Sequence, residues 1–360
     1  MDFTLSEEQQ LIQDSFSKAL EGLVSLETVR EVVENRTGQD LKAVSALTAL
    51  GMPGLLVSET HGGSGLGLLE AILVSEELGR QAAPVPFVAS SVMAVKVLEI
   101  GGSERQKQDW LPAVARGEKR LAVAFTEKTG GLRKEAGVQS SNGRLSGRAT
   151  FALDIQGADA VLVSDQNGQV FIVPLTTEGV SIESFPSIDG TRAAGHIELD
   201  TAEGELLDGV SEAELTHVIN AGRIAIAADS LGACETMLQK AVEYSLERKQ
   251  FGRAIGSFQA VKHMCAEMAA ELQPCRALIW HAAYAADHLT EEFNLSVLLA
   301  KSHMDEVSRL IAKSATEVFG GMGFADLPGM HFWYKRVGFN RAMLGAPERL
   351  RREAAALQGL

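Results

Sequence analysis

A chain of 360 residues with 46% hydrophobic content is long enough for two or three domains with sizeable cores. A net charge of −14 and a pI near 5.1 argue against nucleic acid and anionic membrane surfaces as partners. Aromatic residues are only 6%, so the apolar mass is mainly Ala, Leu and Val, which suits close-packed helices.

Residues 1–118 read as helices. Ser6-Glu-Glu-Gln9 is an N-cap with acids in the first turn. Leu11, Ile12 and Phe16 follow at helical spacing. The N-terminus has no basic segment and no apolar h-region, and no apolar run is long enough to span a bilayer, so a cytoplasmic protein without a membrane is expected. The glycine cluster Ser58–Gly67 reads as a loop, and Glu70–Gly79 as a return to helix.

Residues 119–210 change character. Leu121–Phe125 is a short apolar run, and Asn142-Gly143 and Asn167-Gly168 are hairpin signals. The second lies between Val161–Ser164 and Val170–Val173. A small antiparallel β-domain is expected here.

Residues 211–360 are helical again, starting at the capping pattern Ser211-Glu-Ala-Glu214. Breaks are expected at Gly252 and Pro274, and a basic helix around Arg349 near the end. Cys234, Cys265 and Cys275 show no CxxC spacing; they suit a reducing cytoplasm and give no disulfide or metal signal. His263, His281, His288 and His303 lie in helical patterns without ligand spacing. In Arg248-Lys-Gln-Phe-Gly-Arg-Ala-Ile-Gly-Ser-Phe-Gln259, Gly252 is expected to stop one helix before another begins. Arg248, Phe251 and Gln259 then put a planar cation, an aromatic face and an amide at one corner. By residue type alone this is a phosphate-and-ring site, or simply a helix end with a surface arginine and a core phenylalanine.

That stretch resembles the Arg-x-x-Phe-Gly…Phe-Gln signature of the acyl-CoA dehydrogenases. Glu59…Gly65, Glu76-Glu77…Gly79-Arg80 and Gln106-Lys107…Leu111-Pro112 resemble pieces of the family's N-terminal helical domain. Glu317-Val-Phe-Gly-Gly-Met-Gly-Phe324 is similar to its Gln-x-x-Gly-Gly-x-Gly-Tyr, with glutamate in the glutamine slot. The resemblance covers essentially the whole chain. It implies an α+β fold: an N-terminal helical domain (1–118), a middle β-domain (119–210) and a C-terminal helical domain (211–360).

The same resemblance implies FAD as cofactor. Arg248, Phe251 and Gln259 would reach the FAD of a neighbouring subunit, and Gly320, Gly321 and Gly323 would let backbone approach its ADP part. Thr126 would hydrogen-bond the flavin ring and Phe151 would pack on it. Lys128 replaces the usual proline, and Gly130-Gly131-Leu132-Arg133 stands near where a Gly-Ser-Asp is missing. Leu153 falls where the family has a hydroxyl donor. His331-Phe-Trp-Tyr-Lys-Arg336 is the densest aromatic-basic cluster; by residue type it suits a nucleotide, whereas the resemblance implies a structural role.

The family's reaction removes an α-proton from an acyl-CoA thioester, which needs a carboxylate in a dry pocket. The two positions where members carry it are Leu344 and Gly222 in this chain. Glu348, Glu317, Asp229 and Glu214 are nearby acids, each expected on a solvated face or cap. No catalytic residue is therefore assigned. The expected function is FAD-dependent α,β-dehydrogenation of an acyl-CoA, with an electron-transfer flavoprotein as electron acceptor, in a homo- or heterotetramer. The chain is similar to short bacterial subunits of heteromeric steroid side-chain acyl-CoA dehydrogenases, which makes a mixed tetramer one expectation. The alternative is a non-catalytic partner subunit or a flavin- or acyl-CoA-binding scaffold.

Overall fold

The computed structural model describes residues 4–129, 137–185 and 187–360. Gly130–Arg133, singled out above, lie outside the described residues. The first helices are α1 (Glu7–Leu23), α2 (Leu26–Glu34), α3 (Leu41–Ala49), α4 (Leu68–Arg80), α5 (Val95–Gly101) and α6 (Glu104–Ala115). Ser6 opens α1 with a reciprocal capping box to Gln9, satisfying two otherwise orphan amides. The Ser58–Gly67 stretch holds only a short 3₁₀ turn at Glu59–His61.

The sheet follows: β1 (Leu121–Ala124), one helical turn α7 (Thr126–Thr129), β2 (Gly137–Ser141), β3 (Arg144–Leu153), β4 (Ala160–Ser164), β5 (Val170–Pro174), β6 (Val180–Ser184), β7 (Ala194–Glu203) and β8 (Glu205–Leu207). Asn142 and Gly143 both take positive φ, 52° and 74°, the pair that a tight β2–β3 hairpin requires. At the β4–β5 turn Gly168 has φ 79°, and the Asp165 carboxylate accepts from the amides of Asn167 and Gln169. Strand order is β6-β7-β3-β1-β4-β5-β8, with β2 on β3. The expected antiparallel domain is instead a mixed sheet, because β1 and β4 pair in parallel. The chain reverses once into β3 on one side of β1 and again into β4 on the other, so the two end up aligned. Ala122, Ala124, Val161, Val163, Phe171 and Ile197 fill the core of the sheet.

The C-terminal part comprises α8 (Glu212–Glu247), the two-residue strands β9 (Lys249–Gln250) and β10 (Arg253–Ala254), α9 (Gln259–His288), α10 (Thr290–Phe319), α11 (Met330–Ala342) and α12 (Pro347–Leu357). Ser211 and Glu214 form the expected capping pair at the start of α8. Two expectations are corrected. Gly252 does not close a helix: α8 stops at Glu247, and Phe251-Gly252 is the tip of the β9–β10 hairpin. Pro274 does not break α9, which runs through it and buries Leu272, Cys275 and Ile279 nearby. Proline removes one ladder hydrogen bond, and burial of the apolar stripe outweighs that loss.

The chain forms two compact units. One is Met1–Val29, Ile72–Ala83 and Ile224–Leu360, helical apart from the β9–β10 hairpin; the other is Arg30–Ala71 and Pro84–Arg223, which carries the eight-stranded sheet. In the helical unit, α4 and α8 touch backbone to backbone. A Cβ at Gly79 would lie 1.9 Å from the Asp229 carbonyl oxygen, and one at Gly232 1.9 Å from that of Glu76. The fully buried Glu76 accepts from Arg80 (2.6 Å) and Arg276 (2.8 Å).

A buried polar network crosses this unit. Arg336, fully buried, donates to both carboxylate oxygens of Asp229 (2.9 and 2.7 Å) and to the Ala83 carbonyl (3.1 Å). Asn340 donates to Asp229 (2.7 Å) and Ser230 (3.1 Å). Lys301, also fully buried, donates to Asp305 (2.7 Å) and to the Asn340 carbonyl (3.2 Å), an orphan acceptor near the end of α11. Asp229 was expected on a solvated face; it is buried because Arg336 and Asn340 satisfy it. Arg336→Leu should destabilise the protein by about 3–5 kcal/mol, since it strands a buried carboxylate; chemical denaturation measures this.

Burial pushes the Asp305 carboxyl up from its ordinary 3.8 to about 6, against the opposing pull of Lys301. Between those values the folded chain holds a proton that the unfolded chain has released. The stability from this group is fully present below about 3.8 and is lost as pH rises through about 6. The stability of wild type relative to Asp305→Asn should therefore fall by on the order of 2 kcal/mol between pH 4 and pH 7. Thermal melts across that range check it, and a rise would contradict it.

Candidate functional site

In the helical unit, the Arg248–Gln259 stretch is built as a hairpin on the end of α8. The Arg248 amide donates to the Tyr244 carbonyl (2.9 Å), continuing the helix by one bond. The Ile255 amide donates to the Arg248 carbonyl (2.8 Å), which closes the hairpin base. Gly256 passes so close to Ser245 that a Cβ would sit 2.9 Å from its hydroxyl and 3.0 Å from its carbonyl oxygen. Phe251 and Gly252 take φ 51° and 78° at the tip. Phe251 is 93% exposed and meets Phe258 edge-on at 6.2 Å; Arg253 lies 4.0 Å over the Phe258 ring. Arg248 and Gln259 are exposed, Gln259 at the start of α9. Among the described residues the Arg248 guanidinium has no acid partner.

The glycine cluster closes α10. Gly320 takes φ 58° and ψ −135°, a conformation for glycine alone. The following turn folds back, so a Cβ on Gly323 would lie 2.7 Å from the Thr316 carbonyl oxygen. Gly321 differs, because a Cβ there would meet nothing within 4 Å. The chain itself has no steric need for that glycine, which leaves the surface open. A cavity of about 560 Å³ beside the turn is lined by Lys313, Glu317, Gly323, Phe324, His331 and Lys335, among others. The 331–336 cluster thus divides. His331, Tyr334 and Lys335 face this cavity, while Phe332, Trp333 and Arg336 are core, with the Trp333 indole donating to the Arg80 carbonyl (2.9 Å). The hairpin and the glycine turn are brought together where Tyr244 stacks on Phe319.

In the other unit, Thr126 starts α7 just past the end of β1 and is fully buried. Its hydroxyl donates to the Thr150 carbonyl (3.1 Å) and accepts from the Thr150 amide (2.8 Å). The single hydroxyl proton is thus engaged within the chain, and Thr126 acts as a clip on β3. At that point β3 and β7 slip in register between Ala149 and Ala152. Phe151 sits in the slip with φ 58°. It meets Phe185 and His196 edge-on at 5.7 and 5.6 Å, and these two stack at 4.9 Å. Its amide also points to the His196 Nδ1 (3.4 Å). Phe185 and His196 were not singled out in the sequence. Leu153 is buried and paired with Val123 and Ala194. Burial raises the Asp154 carboxyl despite Arg192, and its oxygen accepts from the Ala89 amide (2.9 Å).

Neither base position holds a titratable group. Gly222 is buried within α8, and Leu344 is 6% exposed with φ 57°. The four nearby acids are engaged elsewhere. Asp229 binds Arg336, Glu348 lies 3.2 Å from Arg341, Glu317 lies 3.6 Å from Lys313, and Glu214 caps α8.

Comparison with known proteins gives one consistent result. Residues 6–118 match the family described as acyl-CoA dehydrogenase, N-terminal domain, and residues 212–357 match acyl-CoA dehydrogenase, C-terminal domain. The chain is 29% identical to acyl-CoA dehydrogenase FadE27 of Mycobacterium tuberculosis, over 98% of this chain and 97% of that one. It is similar in structure to the ChsE4–ChsE5 complex from Mycobacterium tuberculosis, with TM-score 0.90, 28% identity and all of both chains covered. It is also similar to a variant of the Tcur3481–Tcur3483 steroid ACAD, with TM-score 0.88, 27% identity and 99% of each chain covered.

The Thr126 clip yields a direct check. Thr126→Val leaves the buried Thr150 amide without its acceptor and should cost about 1–3 kcal/mol, while Thr126→Ser should cost little. Denaturant unfolding of both variants distinguishes them.

Proposed function

Because the chain belongs to the acyl-CoA dehydrogenase family, oxidoreductases acting on CH–CH donors, we propose that it holds FAD as one subunit of a mixed tetramer and shares in α,β-dehydrogenation of an acyl-CoA thioester. When bound, FAD would accept the hydride of that reaction. The carrying observation is a contrast. Arg248 and Phe251 on the hairpin and Gln259 at the start of α9 are all presented outward, whereas Leu344 and Gly222 fill the base positions with groups that cannot take a proton.

The donor set suits a dinucleotide. Arg248 offers a guanidinium that has no acid partner among the described residues, Gln259 an amide, and Phe251 an exposed aromatic face. Gly320 and Gly321 leave open space for close backbone approach. On the sheet, Phe151 is the aromatic group toward the flavin; Thr126 serves by holding the Phe151 bulge rather than by giving its own proton. The proton acceptor then belongs to a second kind of chain. The similarity to the ChsE4–ChsE5 complex supports such a pairing, and that to the Tcur3481–Tcur3483 steroid ACAD supports a steroid side-chain thioester as substrate. An electron-transfer flavoprotein takes the electrons onward in this reading, and the three free thiols suit the cytoplasm. The empty base positions also favour a second reading, a scaffold that binds flavin or acyl-CoA without turnover. Turnover by the co-expressed mixed assembly excludes it.

Arg248→Ala should weaken FAD binding by about 1.5–3 kcal/mol, roughly 10- to 150-fold, through loss of a charge-assisted phosphate contact. Flavin fluorescence titration of the deflavinated protein measures this, and unchanged affinity would count against the reading.

A further inference from the structure

Two cofactor-facing segments, far apart in sequence, end on one pair of rings. Tyr244 lies in the last turn of α8, four residues before Arg248, and its carbonyl accepts the Arg248 amide (2.9 Å). The neighbouring Ser245 carries the return of the hairpin, with Gly256 packed on its hydroxyl and carbonyl. Phe319 is the last residue of α10, directly before Gly320. Gly323 folds back over it, such that a Cβ there would lie 3.2 Å from the Phe319 Cβ. The two rings face each other at 4.3 Å with an interplanar angle of 12°. Phe319 is 7% exposed and Tyr244 is half-buried.

We propose that the Tyr244–Phe319 stack is a positioning device that fixes Arg248 and the Gly320–Gly323 turn in one spacing, so that both meet a single FAD as a preformed pair. This rests on the flavin-binding reading above. Neither ring is assigned a contact with the cofactor; each acts through the segment it anchors. A helix end frays when nothing holds its last turn. Here α8 and α10 both end at the stack, and a near-parallel ring pair restricts sliding and rotation of one end against the other. Binding energy that would be spent on ordering two loose segments is thereby conserved.

The test is FAD affinity, measured by flavin fluorescence on the deflavinated mixed assembly, with thermal stability followed in parallel. Tyr244→Ala should weaken FAD binding roughly three- to tenfold. Tyr244→Phe keeps both ring faces and should bind within about twofold of wild type. The Arg248→Ala/Tyr244→Ala double variant should lose less than the product of the single losses, because Tyr244 acts through Arg248. If Tyr244→Ala does not fold, Phe319→Leu removes the ring face while keeping apolar volume, and the same weakening is expected. Unchanged FAD affinity in Tyr244→Ala or Phe319→Leu, with Arg248→Ala still weakened, overturns the positioning role alone. Equal loss in Tyr244→Phe and Tyr244→Ala also overturns it, since the hydroxyl would then be the active group. No effect from Arg248→Ala, or no FAD uptake by the wild-type mixed assembly, instead overturns the flavin-binding reading beneath it.

Discussion

The Arg336–Asp229 pair is the constraint on which the helical unit depends. Arg336 on α11 grips Asp229 on α8 with two hydrogen bonds and reaches the Ala83 carbonyl just past α4. Asn340, one turn along α11, extends the grip to Ser230, and Lys301 on α10 ties Asp305 to the Asn340 carbonyl. Each of the helices so joined leads to a segment of the candidate site: α8 to the Arg248 hairpin, α10 to the glycine turn, α11 to the Leu344 turn. A buried ion pair returns little net stability against an apolar replacement. Its consequence is register, because each donor has one acceptor that fits. The glycine contact of Gly79 and Gly232 complements this by letting α4 and α8 approach closely enough for Ala83 to join the network.

Three residues singled out in the sequence carry strained backbone. Among the described residues, eight non-glycine residues have positive φ, and Phe151, Phe251 and Leu344 are three of them. Bulky residues there cost on the order of 1–3 kcal/mol and persist only where surrounding structure enforces them. Phe151 is held by the Thr126 clip, and Phe251 by the two-residue hairpin. Leu344 follows the Lys301-capped end of α11 and is buried, so a turn adjacent to the proposed chemistry keeps a strained backbone while carrying an apolar side chain.

Local signals in the sequence carried the element types. Asn142-Gly143 and the Ser6 and Ser211 caps act within four residues of themselves and were legible for that reason. Most of the failures involve partners distant in sequence. Gly252 has the φ of a helix terminator, yet the bond from Ile255 to Arg248 makes it a hairpin residue. Pro274 is outvoted by burial along α9. Asp229 reads as a surface acid until Arg336, 107 residues on, is seen beside it. The parallel β1–β4 pair depends on which side of β1 each later strand joins, which alternation cannot report. The Thr126–Thr150 bond was not legible, since the two residues lie 24 apart. The hairpin and glycine motifs were visible as words, and the ring pair that joins them was not.

The central claim is that this chain supplies cofactor-holding groups while a second chain supplies the base. The most direct measurement is the visible flavin spectrum during anaerobic addition of acyl-CoA thioesters, including steroid side-chain thioesters. It is made on the chain alone and on its assembly with the product of the neighbouring gene. The account predicts bleaching in the mixed assembly and none in the chain alone. Bleaching by the chain alone would contradict it, because a complete site with its own base would then reside among these 360 residues.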